Sequence, residues 1–284
     1  MSPLLDVLIP TCDRPAALAV TLAGLVGQDF PHFRVIVSDQ TADADVSGAG
    51  EVEAVSRVLV GLGRPTTIVK HLPRRGMAEH RDFLVSLART RFALFLDDDL
   101  VLEPDVVRRL LATMLAERCG FVGAAPIGLS HSGDVRPDEE RLEWWDGPVR
   151  PEAVRPGTEA WERHTLHNAA NVLHVQRRLG LSSERTRTYR VAWVGGCVLY
   201  DVRKLLDCGG FGFWRELPEN GVAGEDVVAQ LRLMERYGGC GILPSGVYHQ
   251  ELPTTVHDRR HDAWRVRPEL LEPVRVSRLA PQRR

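Results

Sequence analysis

The 284-residue chain has an ordinary globular composition and nearly balanced charge. Apolar residues make up 44% and charged residues 26%, and the formal net charge is −2. The length allows one large domain or two small ones with ample core, and the charge gives no reason to expect nucleic acid as a partner. None of the five cysteines forms a C-x-x-C pair, which argues against a disulfide framework or a zinc site and favours a reducing cytoplasm.

The amino-terminal segment resembles neither a signal peptide nor a membrane anchor. It has no basic n-region and carries Asp6 within its first apolar run. No apolar stretch approaches the ~20 residues that span a bilayer. We therefore expect a soluble, cytoplasmic protein with no transmembrane segment. Its Arg- and Pro-rich tail, residues 252–284, would be a solvated end, a lid or a weak peripheral membrane contact, with the solvated end as the default.

The first half of the chain alternates short apolar runs with helical patterns. The predicted strands are 4–11, 33–39, 66–72, 92–96 and 120–126. The predicted helices are 16–26, 77–89 and one opened by Glu103-Pro104. This alternation predicts βαβ units and therefore an α/β, Rossmann-like fold, with a mostly parallel sheet flanked by helices.

The second half follows a different pattern but adds to the same fold. Residues 131–156 are predicted to be irregular. Further predictions are a helix at 159–179, a strand at 190–200 broken by Gly195-Gly196, a helix at 224–237 and a short strand at 241–243. We divide the chain into residues 1–126, residues 127–251 packed on them within the same domain, and the tail 252–284.

Three polar residues stand where predicted strands end, namely Thr11, Asp39 and Asp97. Because ligands bind at the carboxyl ends of parallel strands, these residues should face one crevice. Asp39 taken alone has a plainer explanation, since Asp commonly bonds its own backbone at a strand end in an Asx-turn.

The run Asp97-Asp98-Asp99 follows the apolar strand FALFL. Adjacent carboxylates repel one another, and a divalent cation would remove that repulsion. Oxygen ligands at this spacing suit Mg²⁺ or Mn²⁺. The alternative is a solvated acidic turn in which Asp99 caps the next helix.

Glu225 and Asp226 begin a predicted helix after a glycine-rich stretch. Acidic residues in a first turn interact well with the helix dipole, and a carboxylate that faces a crevice can equally serve as a general base. His249 could bind a metal through a neutral ring nitrogen, although a single histidine is more often structural. The side chains of Trp144, Trp145 and Trp193 could stack on a sugar, but core packing is their commoner role.

These segments, in this order, resemble the family 2 glycosyltransferases of the GT-A fold, from about Val7 to about His249. VLIPTCDRP resembles the first strand and turn of that family, and VIVSDQT its second strand. RRGMAEHRDFLVSLARTRFALFLDDD resembles the stretch that leads into the D-x-D motif. VGGCVLYDVRKLLDCGGF followed by GEDVVAQLRL resembles the acceptor-side segment that ends in the Glu-Asp pair.

The resemblance implies a metal-dependent, inverting transfer of a sugar from a UDP-, GDP- or dTDP-linked donor to an acceptor hydroxyl. Residues 1–126 would bind the nucleotide sugar and residues 127–251 the acceptor. Asp226 would be the catalytic base, with Glu225 orienting its surroundings. The implied donor-binding residues are Thr11, Asp13, Asp39, Arg81, Asp97 and Asp98. The implied ligands of Mn²⁺ or Mg²⁺ are Asp97, Asp99 and His249.

We assign residues 127–189 to no segment of that family from their sequence, so the acceptor remains open. Two other functions are considered. A sugar-phosphate nucleotidyltransferase would share the sheet and the metal carboxylates, but TCDRPAAL lacks the Gly-rich, basic loop that such enzymes carry after the first strand. The other is a nucleotide-binding module of the same fold that has lost its catalytic activity.

Overall fold

The computed structural model describes residues 2–218, 222–253 and 261–272, and a mixed β-sheet runs through the middle of these residues. The strands are β1 (Leu5–Thr11), β2 (Phe33–Asp39), β3 (Thr66–Lys70), β4 (Phe92–Leu96), β5 (Leu100–Leu102), β6 (Phe121–Gly123), β7 (Arg187–Tyr189), β8 (Cys197–Asp201), β9 (Gly239–Leu243) and β10 (Val247–His249). The helices are α1 (Pro15–Val26), α2 (Gly50–Gly61), α3 (Met77–Ser86), α4 (Val106–Glu117), α5 (Asn171–Arg178), α6 (Val202–Asp207), α7 (Glu225–Tyr237) and α8 (Ala263–Val266).

Four parallel strands from the first half lie side by side in the order β3-β2-β1-β4. Residues of β1 and β4 are buried on both faces of the sheet, which explains their continuous apolar runs. The predicted α/β fold is confirmed. Helix α2 was not predicted from the sequence, and only Val52 and Leu59 of this helix are buried.

The second half of the chain completes the same sheet. Strand β8 lies between β4 and β6 and is antiparallel to both, and the order continues through β9 to β7. A separate two-stranded sheet pairs β10 with β5, placing His249 opposite Leu100. Residues from both halves therefore meet at the carboxyl end of β4.

Two predictions for the second half are wrong in detail. The helix predicted at 159–179 is a 3₁₀ helix, Trp161–His167, followed by α5. The break comes at Asn168, which is extended, and at Ala169, whose φ is 49°. The strand predicted at 190–200 begins only at Cys197, because Gly196 has a φ of 72° and turns the chain just before it.

Part of the predicted tail packs against the body of the protein. Residues Ala263, Leu270 and Leu271 are buried, and α8 contacts α7. Residues 254–260 and 273–284 lie outside the described part of the chain. No helix in the described ranges is both long and apolar enough to cross a membrane.

A buried ion pair joins α3 to α7. The guanidinium of Arg81 donates from Nε to Oε1 of Glu225 at 2.8 Å and from Nη2 to Oδ1 of Asp97 at 3.0 Å. The Arg81 and Glu225 side chains are almost wholly buried. Removing one partner of such a pair leaves an uncompensated charge, which costs much more than the net stability that the pair contributes.

We expect Arg81→Met to lower the free energy of unfolding by about 3–5 kcal/mol. Adding Glu225→Gln should recover part of that loss, because the second substitution removes the stranded carboxylate. Urea denaturation of the two single variants and the double variant measures the coupling. The control is Arg57→Met, which removes an exposed pair with Glu53 and should change stability by under about 1 kcal/mol. Equal losses in Arg81→Met and the double variant would contradict the prediction.

His80 on α3 is a buried histidine that holds the helix to β2. Its Nε2 lies 2.8 Å from Oγ and 3.1 Å from the carbonyl oxygen of Ser38. Burial, together with the positive charge of neighbouring groups including Arg81, lowers the pKa of His80 to about 3. The imidazole is therefore neutral in the folded protein at neutral pH.

This lowered pKa predicts acid destabilisation. The unfolded chain takes up the proton near pH 6.5, so the contribution of His80 is present above that pH and is lost as the pH falls towards 3. By about pH 4.5 the loss should reach roughly 2–3 kcal/mol. His80→Gln, which keeps a donor for Ser38, should lose less stability than the wild type between pH 7 and about 4.5. Thermal unfolding measures this difference, with the exposed His131→Gln as control. Parallel pH profiles for wild type and His80→Gln would refute the assignment.

Candidate active site at the end of the sheet

A cavity of about 650 Å³ opens at the carboxyl ends of β1 and β4. Its acidic lining comes from three segments, which are the run Asp97-Asp98-Asp99, the pair Glu225-Asp226 and Asp262 before α8. The structure brings the first two of these segments together because β8 pairs with β4, while α7 packs on α3, whose Arg81 bonds both Glu225 and Asp97.

The three consecutive aspartates point in different directions. Asp97 is the most accessible, with 37% of its side chain exposed. Asp98 turns towards β1, where the hydroxyl of Thr11 donates to Oδ2 at 2.6 Å. Asp99 turns towards Arg14, whose Nη1 lies 2.9 Å from Oδ2. The strand-end position of the run therefore separates carboxylates that would otherwise repel one another at close range.

The pKa of Asp98 reflects its position in this run. Burial raises it to about 7, the Thr11 hydrogen bond opposes that shift, and the charge of Asp99 adds to it. Arg81 sits on the other side of the run. Its burial opposes the charged form, but the carboxylates of Glu225 and Asp97 raise the pKa of the guanidinium further above its already high value. Arg81 thus stays a fixed cation between the two acidic segments.

Asp226 lies in the first turn of α7, after Gly224, which adopts a left-handed conformation at φ 76°. Its Oδ1 accepts the backbone N–H of Val227 at 2.9 Å. Its Oδ2 lies 3.6 Å from where a Cβ on Gly195 would stand, so the absence of a side chain at Gly195 leaves room beside this oxygen. Burial and the neighbouring Glu225 charge raise the pKa of Asp226, and the carboxylate still borders the cavity.

His249 reaches the site through β10. Its Nε2 lies 3.6 Å from Oδ2 of Asp99. On its other side, Nδ1 accepts the backbone N–H of Glu251 at 2.8 Å, so a neutral ring carries its proton on Nε2. If Nε2 bound a metal, the proton of the neutral ring would move to Nδ1. The hydrogen bond from the Glu251 N–H to Nδ1 would then be lost.

Three residues predicted to bind the donor, Thr11, Asp13 and Asp39, are absent from the cavity lining, so of the three strand-end residues only Asp97 faces the cavity. Asp39 is fully buried and accepts hydrogen bonds from the backbone N–H groups of Thr41 and Val46 and from Nζ of Lys70. Burial alone would raise its pKa, but these bonds, led by Thr41, lower it. Asp39 therefore orders the loop after β2, as the Asx-turn explanation predicts. Asp13 is exposed.

The acidic lining fits a hard divalent cation in its chemistry but not in its present arrangement. Asp97 and Asp99 are oxygen donors of the kind that Mn²⁺ and Mg²⁺ prefer. In the part of the chain that the structure describes, however, no three His, Cys, Asp or Glu side chains are placed to hold a metal together. Arg81 and Arg14 engage the two carboxylates instead. Two carboxylates would suffice where water and phosphate complete the shell.

Several cavity residues were not identified as site residues from the sequence. Arg14 follows β1, Trp161 and His164 come from one 3₁₀ helix of the second half, and Trp264 comes from α8 in the tail. Trp193, which the sequence analysis considered for sugar stacking, also lines the cavity. An arginine after a strand is a weak signal, and the aromatic residues share no spacing, so only the fold brings them together.

Comparison with known proteins supports the same fold. The sequence matches the family model "Glycosyl transferase family 2" over residues 6–179. Among curated proteins, none matches the sequence. Several solved structures match the fold, and each is 15–17% identical in sequence.

One similar structure is S. aureus TarS, with a TM-score of 0.52 over 88% of this chain and 36% of that chain. A second is S. aureus TarS 1–349 in complex with UDP-GlcNAc, with a TM-score of 0.52 over 90% of this chain and 60% of that one. A third is the mannosyltransferase PcManGT from Pyrobaculum calidifontis in complex with GDP-Man and Mn²⁺, with a TM-score of 0.50 over 85% of this chain and 57% of that one. The present chain thus spans 60% or less of the length of these structures.

The likeness to these structures confirms the GT-A fold that the sequence predicts. The family match extends from β1 through α5 and so includes the aspartate run after β4. Because that match covers more than half of the 284 residues, the chain belongs to glycosyl transferase family 2.

Proposed function

We propose that this protein is a metal-dependent, inverting glycosyltransferase that moves a sugar from a nucleotide diphosphate to an acceptor hydroxyl. The observation that carries the proposal is the meeting of Asp226 with Asp97 and Asp99 in one cavity of a family 2 chain. A base for the acceptor and carboxylates for the donor's diphosphate are then available in the same cavity.

The donor would lie on the β1–β4 side of the cavity. Arg14 and Arg81 carry fixed positive charge there, and the Asp97 and Asp99 carboxylates would hold Mn²⁺ or Mg²⁺. Such an ion neutralises the charge that develops on the departing diphosphate. Two neighbours of the same fold are complexes with UDP-GlcNAc and with GDP-Man and Mn²⁺, which supports a nucleotide sugar as the donor class.

The acceptor would be activated on the other side by Asp226. An acceptor hydroxyl is a weak nucleophile near neutral pH, and a positioned carboxylate can take its proton as the new bond forms. Asp226 borders the cavity, and Gly195 leaves space beside its Oδ2. A single displacement with the base opposite the leaving group inverts the anomeric carbon. Glu225 is paired with Arg81, so we assign it a positioning role for the first turn of α7.

We expect Asp226→Asn to lower turnover of the donor by about 10²–10⁴-fold, with nucleoside diphosphate affinity nearly unchanged. Asparagine keeps the shape of the side chain but cannot take the proton. Release of nucleoside diphosphate from the nucleotide sugar measures turnover, and calorimetry measures affinity. The matched control is Asp138→Asn, an exposed residue outside the cavity lining. Full turnover in Asp226→Asn would remove Asp226 from the role of base.

The donor site is tested by calorimetric titration of UDP, GDP and dTDP with and without Mn²⁺. One diphosphate should bind tightly only with the metal, and Asp99→Asn should weaken that metal-dependent binding by at least about tenfold, the equivalent of about 1.4 kcal/mol. Asp138→Asn again serves as the control. Equal affinity for the diphosphate in Asp99→Asn and the wild type would contradict the ligand assignment. No binding of any diphosphate would contradict the proposed donor class and with it the proposed function.

A further inference from the structure

One wall of the cavity consists of aromatic side chains that no sequence motif groups together. We call Trp161, His164, Trp193 and Trp264 the aromatic wall. The ring centroid of Trp161 lies 4.8 Å from that of Trp193 and 4.9 Å from that of Trp264. His164 stacks on Trp193 at 5.0 Å with an interplanar angle of 11°. The 3₁₀ helix Trp161–His167, the segment before β8 and helix α8 therefore converge at this point.

Three of the four side chains in the aromatic wall are partly exposed to the cavity. Trp161 is 7% exposed and forms the back of the wall, whereas Trp193, His164 and Trp264 remain partly exposed and border the cavity. His164 backs the Trp193 ring and Arg265 lies over the Trp264 ring at 4.3 Å. The rings are thus held in set orientations before any ligand arrives, which lowers the entropic cost of binding one.

The aromatic wall stands next to Asp226 on both sides. Trp193 is two residues before Gly195, the glycine that leaves space beside Oδ2 of Asp226. On the other side, a Cβ on Gly224 would lie 3.4 Å from Cδ1 of Trp264. Arg14 and Asp97, by contrast, follow β1 and β4. A molecule on the aromatic wall would present a group to Asp226 without occupying the proposed donor side.

The polar groups around the aromatic wall decide which ligand it suits. Asp226, Asp262 and Arg265 also line the cavity. A flat apolar molecule would stack on the rings but would desolvate these polar groups without bonding them, which is unfavourable. The charges beside the rings are of both signs, two carboxylates and the Arg265 guanidinium, so they select no net charge in a ligand. A pyranose offers an apolar C–H face to an indole and hydroxyls to the surrounding polar groups.

We propose that the aromatic wall is the acceptor site and that it takes a saccharide. This inference rests on the proposed function, since it identifies the acceptor of that reaction. One hydroxyl of the bound saccharide faces Asp226, and its proton passes to the carboxylate. The hydroxyl oxygen forms the bond to the anomeric carbon as the bond from that carbon to the diphosphate breaks.

The test uses the full chain with Mn²⁺ and the nucleoside diphosphate that calorimetry selects. The saccharide probes are the methyl glycosides of glucose, galactose, mannose and N-acetylglucosamine. Binding is detected by saturation-transfer NMR, with p-nitrophenol as an aromatic probe and glycerol 3-phosphate as an anionic probe. At least one glycoside should bind, and Trp193→Leu and Trp264→Leu should each weaken it by about tenfold. The matched control, Trp144→Leu, alters a tryptophan that contacts Arg187 outside the cavity and should leave binding unchanged.

Nucleoside diphosphate binding, measured on every variant, separates the two proposals. Suppose that the nucleoside diphosphate binds but no glycoside does, or that both tryptophan variants bind the glycoside as tightly as the wild type. Either result overturns the saccharide inference and leaves the donor assignment in place. Preferential binding of p-nitrophenol or glycerol 3-phosphate also overturns it. If the wild type binds no nucleoside diphosphate, the proposed function fails, and glycoside binding that depends on Trp193 still identifies a saccharide site. Should Trp193→Leu not fold, Trp193→Phe and Trp264→Leu decide the outcome.

Discussion

Carboxylates from two halves of the chain are gathered at one end of the sheet, and Arg81 is the cation that makes this arrangement stable. It donates to Asp97 after β4 and to Glu225 at the start of α7, and its guanidinium lies 5.3 Å from the centroid of the Phe95 ring. Buried carboxylates without such a partner would take up protons or destabilise the fold. The two hydrogen bonds of Arg81 therefore hold the start of α7 to the end of β4. Asp226 follows Glu225 directly, so its position is fixed relative to β4 as well.

The same edge is shaped by the way the second half enters the sheet. Strand β8 pairs antiparallel with β4, so Gly195 and Gly196, just before β8, lie beside Asp97 and Asp226. The pairing of β10 with β5 brings His249 to Asp99. These pairings give the cavity two chemically different sides. The β1–β4 side carries Arg14 and the aspartate run, and the other side carries Asp226 and the aromatic residues.

Sequence reasoning performs well where one local pattern decides the structure. The buried parallel strands are evident as uninterrupted apolar runs, and the helix predicted at 16–26 is present as α1, which begins one residue earlier at Pro15. It fails where a few backbone torsions override the pattern. At Ala169, a left-handed torsion ends what the apolar spacing predicts as one continuous helix from 159 to 179. Helix α2 was also missed, and it is a mostly exposed helix with only Val52 and Leu59 buried.

By itself the sequence determines the order of the parallel strands β1 to β4, the strand-end positions of Thr11, Asp39 and Asp97, and the presence of a second acidic pair at a helix start. Each of these depends on neighbours within a few residues, which periodicity and residue type report directly. Only the tertiary structure decides which of these groups share a cavity. It buries Asp39 under hydrogen bonds from its own loop and Lys70, turns Asp98 towards Thr11, and assembles three tryptophans from separate segments. Side-chain direction and long-range contact depend on strand pairing and helix packing, and the local sequence pattern does not specify them.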